Sequence, residues 1–234
     1  LEIEPATNVA KVAIEKHIPT LVKFFNSDVA LKLIQEEKSA DLIIGNNVLA
    51  HVPNLNDFIK GLKILLKPNG IITLEFPHIL ELIKYNQFDT IYHEHFSYFS
   101  LISLKKIFSF HNLKIFDVDE ISTHGGSLRI FVTHLENDSI HFTNKVKMVL
   151  TKEKEFGLEQ ISKYMEFSEE VKKVKSQLVD FLKDLKKTSK KVVCYGAAAK
   201  GNTLLNYCGI GDDMIEYVVD KNKYKQGLYL PGSH

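Results

Sequence analysis

Short apolar runs that end in polar residues alternate with amphipathic stretches through the first third of the chain. This alternation limits the fold more than any other feature. Asp41-Leu42-Ile43-Ile44 is an unbroken apolar run closed by Gly45-Asn46-Asn47, the pattern of a buried strand with polar groups at the carboxyl edge of its sheet. Asn54 to Lys67 then carries Leu55, Phe58, Ile59, Leu62, Leu65 and Leu66 at helical spacing. Lys67-Pro68-Asn69-Gly70 reads as a turn, and Ile71 to Phe76 as the next strand. Upstream, Leu1 to Glu4 reads as a strand ended by Pro5, followed by a helix that Thr7 can cap. Leu21 to Phe25 reads as a second strand, and Asn26-Ser27-Asp28 opens a helix to about Glu37. Strand and helix in strict alternation predict a parallel sheet with crossover helices.

With 234 residues there is room for one large or two small domains. Thirty Lys plus Arg against twenty-nine Asp plus Glu leave no basic excess for nucleic acid and no acidic tail. No apolar run approaches a membrane span, and nothing at the start reads as a signal peptide, so neither nucleic acid nor membrane is an expected partner. Cys194 and Cys208 lack CxxC spacing and read as reduced thiols of a cytoplasmic protein. Leu1-Glu2-Ile3 begins in mid-strand, and Leu230-Pro231-Gly232 runs out without a closing element, as in a fragment of something longer.

The densest chemistry lies in Tyr92-His93-Glu94-His95-Phe96-Ser97-Tyr98-Phe99-Ser100. A carboxylate between two imidazoles, beside aromatic rings, suits a base poised near neutral pH. A solvated loop with a helix cap at Ser100 is the plainer reading. A metal site on His93 and His95, which share a face if the segment is extended, lacks a third ligand, so no metal is expected. Asn47 and His51 are four apart and would share a face on a helical turn. A histidine merely satisfied beside Pro53 is the equal alternative for His51.

Farther on, Ser103 caps a helix to about His111, Leu113 to Val118 is a strand, and Ser127 to His134 another. Gly125-Gly126 serves either a close backbone approach or a tight turn, and Arg129 faces either a pocket or an ion-pair partner. From Asn144 to Lys187 the chain is helical and charged, with Val171, Val174, Leu178, Leu182 and Leu185 as a packing seam. A second α/β unit starts at Lys190: a strand to Tyr195, a turn of small residues, a helix over Asn202 to Tyr207, and a strand over Ile215 to Val219 ending at Asp220. Small residues before a helix admit an anion to its N–H groups, although the full dinucleotide fingerprint is missing.

Taken together, Asp41 to Val52, the helix after it and Leu65-Leu66-Lys67-Pro68-Asn69-Gly70-Ile71-Ile72 resemble the second half of a class I methyltransferase dependent on S-adenosylmethionine. Tyr92-His93-Glu94-His95-Phe96-Ser97-Tyr98-Phe99, Gly125-Gly126-Ser127-Leu128-Arg129, Tyr195 to Asn202, and Lys225-Gln226-Gly227 with Leu230-Pro231-Gly232 narrow the resemblance to the nucleotide-sugar C-methyltransferases. The family's glycine-rich cofactor loop and its zinc-binding amino-terminal domain are missing, so zinc is expected only in that absent domain.

The resemblance implies an incomplete Rossmann-like α/β methyltransferase domain over 1–143, a helical connector over 144–189, and a partial nucleotide-sugar-binding α/β domain over 190–234. It implies that Glu4, Phe25, Asn26 and Asn46 hold S-adenosylmethionine. His95 would be the base, helped by Glu94 and Tyr92, with Asn47 and His51 near the reacting carbon. Lys200, Asn202, Arg129 and Asp220 would bind a small-molecule nucleotide-sugar, a dTDP-linked 4-keto-deoxysugar, for methylation at carbon alpha to the ketone. A catalytically inactive relative that only binds nucleotide-sugar is the alternative. A nicotinamide-dependent reductase or epimerase using the Gly196 to Gly201 turn ranks below it.

Overall fold

The computed structural model describes residues 1–233, which form two units: residues 1–78 with 96–153, and residues 79–95 with the chain from 154 onward. In the first unit, β1 (Glu2–Ile3) pairs in parallel with β2 (Thr20–Leu21), and α1 (Thr7–Glu15) connects them. The expected strand over Leu21–Phe25 is thus only two residues long. The chain leaves the sheet at Val22, because Asn26 is needed as the cap of α2 (Ser27–Gln35), where its Oδ1 accepts the Val29 N–H at 2.9 Å. Thr7 does not cap α1; the N-cap residue is Ala6, whose N–H donates to Glu4 Oε1 at 2.7 Å.

β3 (Ala40–Asn46) leads through a 3-10 turn, Leu49–His51, into α3 (Leu55–Leu65) and then β4 (Leu66–Pro77). β3 and β4 run parallel, as the alternation predicts. The segment Lys67–Gly70 is not a separate turn. Ala40 pairs with Leu66 and Leu42 with Ile71, so two steps on β3 face five on β4, and the Pro-Asn-Gly residues bulge out inside the strand. Gly61 of α3 sits against the cap of α2, where an added Cβ would lie 2.9 Å from the Asn26 carbonyl. No side chain would fit there.

After α4 (Ile79–Lys84), a member of the second unit, α5 (Leu101–Phe110) packs its Leu101, Leu104 and Phe108 into the first unit's core. Its N-cap is Ser100, with Ser103 returning the bond as a capping box. β5 (Leu113–Ile121) and β6 (Ser127–His134) complete a sheet of order β3-β4-β6-β5, in which β6 is antiparallel to both neighbours. Ile72, Leu74, Leu128, Ile130 and Val132 alternate inward from its central strands and are fully buried.

The run Asp41–Ile44 is not buried as expected. Leu42 is 54% and Ile44 64% exposed. β3 has β4 on one side and, among the described residues, no strand on the other. A parallel strand with an uncovered edge keeps the apolar sequence of a buried one without its burial.

α6 (Asn144–Phe156) supplies Glu153, which is 0% exposed. Its carboxylate accepts Leu101 N–H at 2.6 Å, Ile102 N–H at 2.8 Å and His78 Nε2 at 2.8 Å. A negative charge on the orphan N–H groups of α5 is thereby paired with a buried histidine from the end of β4.

In the second unit, α7 (Ile161–Lys187) packs Leu182 against Cys208, Ile210 and Ile215. β7 (Val193–Tyr195) pairs in parallel with β8 (Tyr217–Val219), and α8 (Ala199–Cys208) connects them. α8 begins three residues before the expected Asn202, since Ala199 and Lys200 favour helix. Among the described residues no helix is long and apolar enough to cross a membrane.

Candidate active site

Polar residues of the first unit collect where β3, β4 and β5 end and β6 begins. Glu4, at the end of β1, is half-buried with Oε1 on the Ala6 N–H, which leaves Oε2 to accept from another donor. Phe25 stacks edge-on against Phe58, ring centroids 5.5 Å apart. Asn26 spends its side-chain oxygen on the helix cap. Asn46 is exposed at the last residue of β3. Asn47 takes φ +55°, and its N–H donates to the Glu75 carbonyl at 2.8 Å. That left-handed turn removes Asn47 from the helical segment, which starts only at Leu49, so Asn47 and His51 do not share a helical face.

Asn47 Nδ2 instead lies 3.4 Å from His124 Nε2. Arg129 finds an ion-pair partner. Its Nη2 donates to Glu75 Oε2 at 2.8 Å, while Thr123 Oγ1 donates to Glu75 Oε1 at 3.0 Å. The sequence reading missed Glu75, Thr123 and His124. One signal was available: a lone carboxylate inside the apolar run Ile71 to Phe76 must be paired if it is buried.

In the second unit, residues 92–95 form a turn and not an extended segment. His95 N–H donates to the Tyr92 carbonyl at 3.0 Å, which brings residues i and i+3 together. The Tyr92 and His95 rings stack with centroids 4.6 Å apart and planes 28° apart. His93 and Glu94, at the tip, are exposed. His95 Nδ1 lies 3.0 Å from the Thr90 carbonyl oxygen. A carbonyl only accepts, so Nδ1 carries the proton and Nε2 is the basic nitrogen of the neutral ring. Burial pushes the Tyr92 phenol up, as do the carboxylates of Glu94 and Asp89, which keeps it a hydrogen-bond donor.

Asp220, at the end of β8, has both oxygens on backbone: Oδ1 accepts from Asn222 N–H and Oδ2 from Ala197 N–H, each at 2.7 Å. These bonds, with Lys225 nearby, hold its carboxyl below the usual range. Asp220 therefore ties the small-residue turn after β7 to the end of β8. Lys200 and Asn202 lie in the first turn of α8, which starts from Ala198 with no side-chain cap.

Parallel strands with connecting helices, an antiparallel β6 between β4 and β5, and a polar carboxyl edge make the first unit a Rossmann-like methyltransferase domain. Residues 4–118 match a methyltransferase domain family, and residues 122–234 match the C-methyltransferase C-terminal domain. The C-methyltransferase NovU of Streptomyces niveus is 36% identical over 231 residues, which are 99% of this chain and 55% of that protein. The chain thus spans about half the length of this curated relative. Among solved structures, an S-adenosylmethionine-dependent methyltransferase from Anabaena variabilis aligns over 56% of this chain and 66% of its own, at 12% identity and TM-score 0.45. The magnesium protoporphyrin IX methyltransferase ChlM of Synechocystis PCC 6803 with bound SAH aligns over 56% and 62%, at 15% identity and TM-score 0.43. The methyltransferase-domain match, the C-methyltransferase C-terminal match and the likeness to NovU together support a C-methyltransferase dependent on S-adenosylmethionine.

Proposed function

We propose that the intact protein transfers a methyl group to carbon alpha to the ketone of a nucleotide-linked, dTDP-type 4-keto-deoxysugar, through an enolate formed by His95. The observation that carries this is the 3.0 Å contact from His95 Nδ1 to the Thr90 carbonyl, which assigns the ring proton to Nδ1 and the basic lone pair to Nε2. Carbon acids next to a ketone need such a base, together with donors for the enolate oxygen. Tyr92, whose ring stacks on that of His95 and whose phenol is kept protonated, is the donor we assign to the enolate oxygen. Glu94 carries charge at the tip of the same turn, and Asn47 and His51 are assigned to the reacting end of the substrate.

The residues for the cofactor fit in kind. Glu4 offers Oε2 at the carboxyl end of a parallel strand, where a carboxylate suits vicinal ribose hydroxyls, with Phe25 and Asn46 as apolar and polar neighbours in the sequence order of the fold. When bound, S-adenosylmethionine supplies the electrophilic methyl group. His95 takes the proton from carbon, and the protein's further task is to orient the enolate and exclude water.

The test is mass spectrometry of dTDP-4-ketosugars incubated with the intact protein and S-adenosylmethionine. A gain of one methyl on carbon is expected; tight sugar binding with no methyl gain would mark an inactive binding relative. The diphosphate is assigned to the α8 amino terminus with Lys200 and Asn202, with Asp220 bracing the turn before it. Lys200→Ala should raise KM about tenfold with turnover nearly unchanged, because one charge-assisted hydrogen bond is lost from ground and transition states alike. A large fall in kcat at constant KM would put Lys200 in the chemistry instead.

A further inference from the structure

We infer that Glu75 and Arg129 form a subsite for the sugar ring of the substrate and not for its diphosphate, an inference that rests on the function proposed above. The two residues are direct cross-strand partners, Glu75 near the end of β4 and Arg129 near the start of β6. Glu75 is buried, and its two oxygens are taken by Arg129 Nη2 and Thr123 Oγ1. Arg129 keeps 40% of its side chain exposed, at the polar edge that also holds Asn47. A guanidinium carries five N–H donors, so the contact to Glu75 fixes its plane and leaves donors to aim outward.

Charge decides what those donors suit. Glu75 cancels Arg129. On the other side of Arg129, Asp119 is its partner on β5 and is itself paired with Lys145 at 2.7 Å. Lys145 also reaches Asp117 at 3.8 Å, so three carboxylates face two cations and the patch has no positive excess. A diphosphate is held by uncompensated cations or helix amino termini, whereas a neutral ketone or hydroxyl is held by oriented donors that carry no excess field. The patch fits the second kind of ligand. Thr123 extends the effect, since its bond to Glu75 pins the loop that carries His124, Gly125 and Gly126. Glu75 is on this account a positioning residue, and Arg129 the residue that touches the sugar.

Calorimetric titration of the intact protein with a dTDP-linked 4-keto-6-deoxyhexose and, separately, with dTDP tests this. Arg129→Gln should weaken the sugar nucleotide roughly tenfold or more and leave dTDP within about twofold. Equal loss for both ligands would assign Arg129 to phosphate, and no loss for either would remove it from the site; both overturn the inference. Glu75→Gln keeps the shape but frees the positive charge. It should weaken the sugar nucleotide while dTDP binding holds or tightens, and amide exchange at residues 123–126 should quicken without any ligand. A purely structural Glu75 would quicken exchange but weaken both ligands alike, against the inference. If the unaltered protein binds neither ligand, the functional reading itself fails and the subsite with it. If it binds both and the variants change nothing, only the subsite fails.

Discussion

His95→Asn in the intact enzyme should lower methyl transfer by about 10²–10⁴-fold, with fold and cofactor binding unchanged, since removal of a general base typically costs that much. Asparagine is the informative replacement. Its side-chain N–H₂ can follow Nδ1 to the Thr90 carbonyl, so the turn keeps its anchor while the basic nitrogen is gone. His93→Asn should lose far less. The turn leaves His93 exposed at the tip, while His95 is the ring stacked on Tyr92. Exchange of the substrate's acidic proton with heavy water, without a methyl donor, isolates the step. It should vanish with His95→Asn and persist with His93→Asn. Undiminished exchange without His95 would move the base elsewhere, with His51 the next residue to replace.

The largest stability effect is expected at Glu153, far in sequence from any residue assigned to chemistry. Glu153→Ala removes one carboxylate and strands three buried donors: two N–H groups at the start of α5 and the imidazole of His78. Each buried donor left without an acceptor costs about 1–3 kcal/mol, so the three together should cost roughly 3–5 kcal/mol. Urea unfolding should show a midpoint lowered accordingly at constant slope. Glu153→Gln, which keeps an acceptor for one helix N–H, should recover part of the loss. His78→Leu alone should cost less than Glu153→Ala, because the carboxylate then still caps the helix. A loss below about 1 kcal/mol for Glu153→Ala would mean that the pair contributes little to this unit.

These two residues mark how unevenly the sequence speaks. His95 stands in a run whose residue types announce proton chemistry, and its neighbours are near in sequence. What the linear reading could not supply was the turn. Taken as extended, the run sets His93 and His95 on one face; the hydrogen bond from His95 to the Tyr92 carbonyl instead pairs His95 with Tyr92. Glu153 gives no signal in the charged stretch after Asn144, because its partners, His78 and the start of α5, are 75 and 52 residues away.

By itself the sequence determined what depends on local periodicity and capping. The apolar alternation specified strands and helices in order, Asn26 and Asn54 specified helix starts, and the small residues before α8 specified the turn there, whereas α5 is capped by Ser100 and not by the expected Ser103. Tertiary structure decided what depends on which strand lies beside which. Leu42 and Ile44 have the sequence of a buried strand, yet they lie exposed on β3, which among the described residues has β4 on one side and no strand on the other. Glu75 becomes a buried partner of Arg129 only because β6 comes back antiparallel beside β4 and sets the two in register. A carboxylate reads the same in any strand. Its cost when buried, and so its role, is fixed by the charge that the sheet brings opposite it.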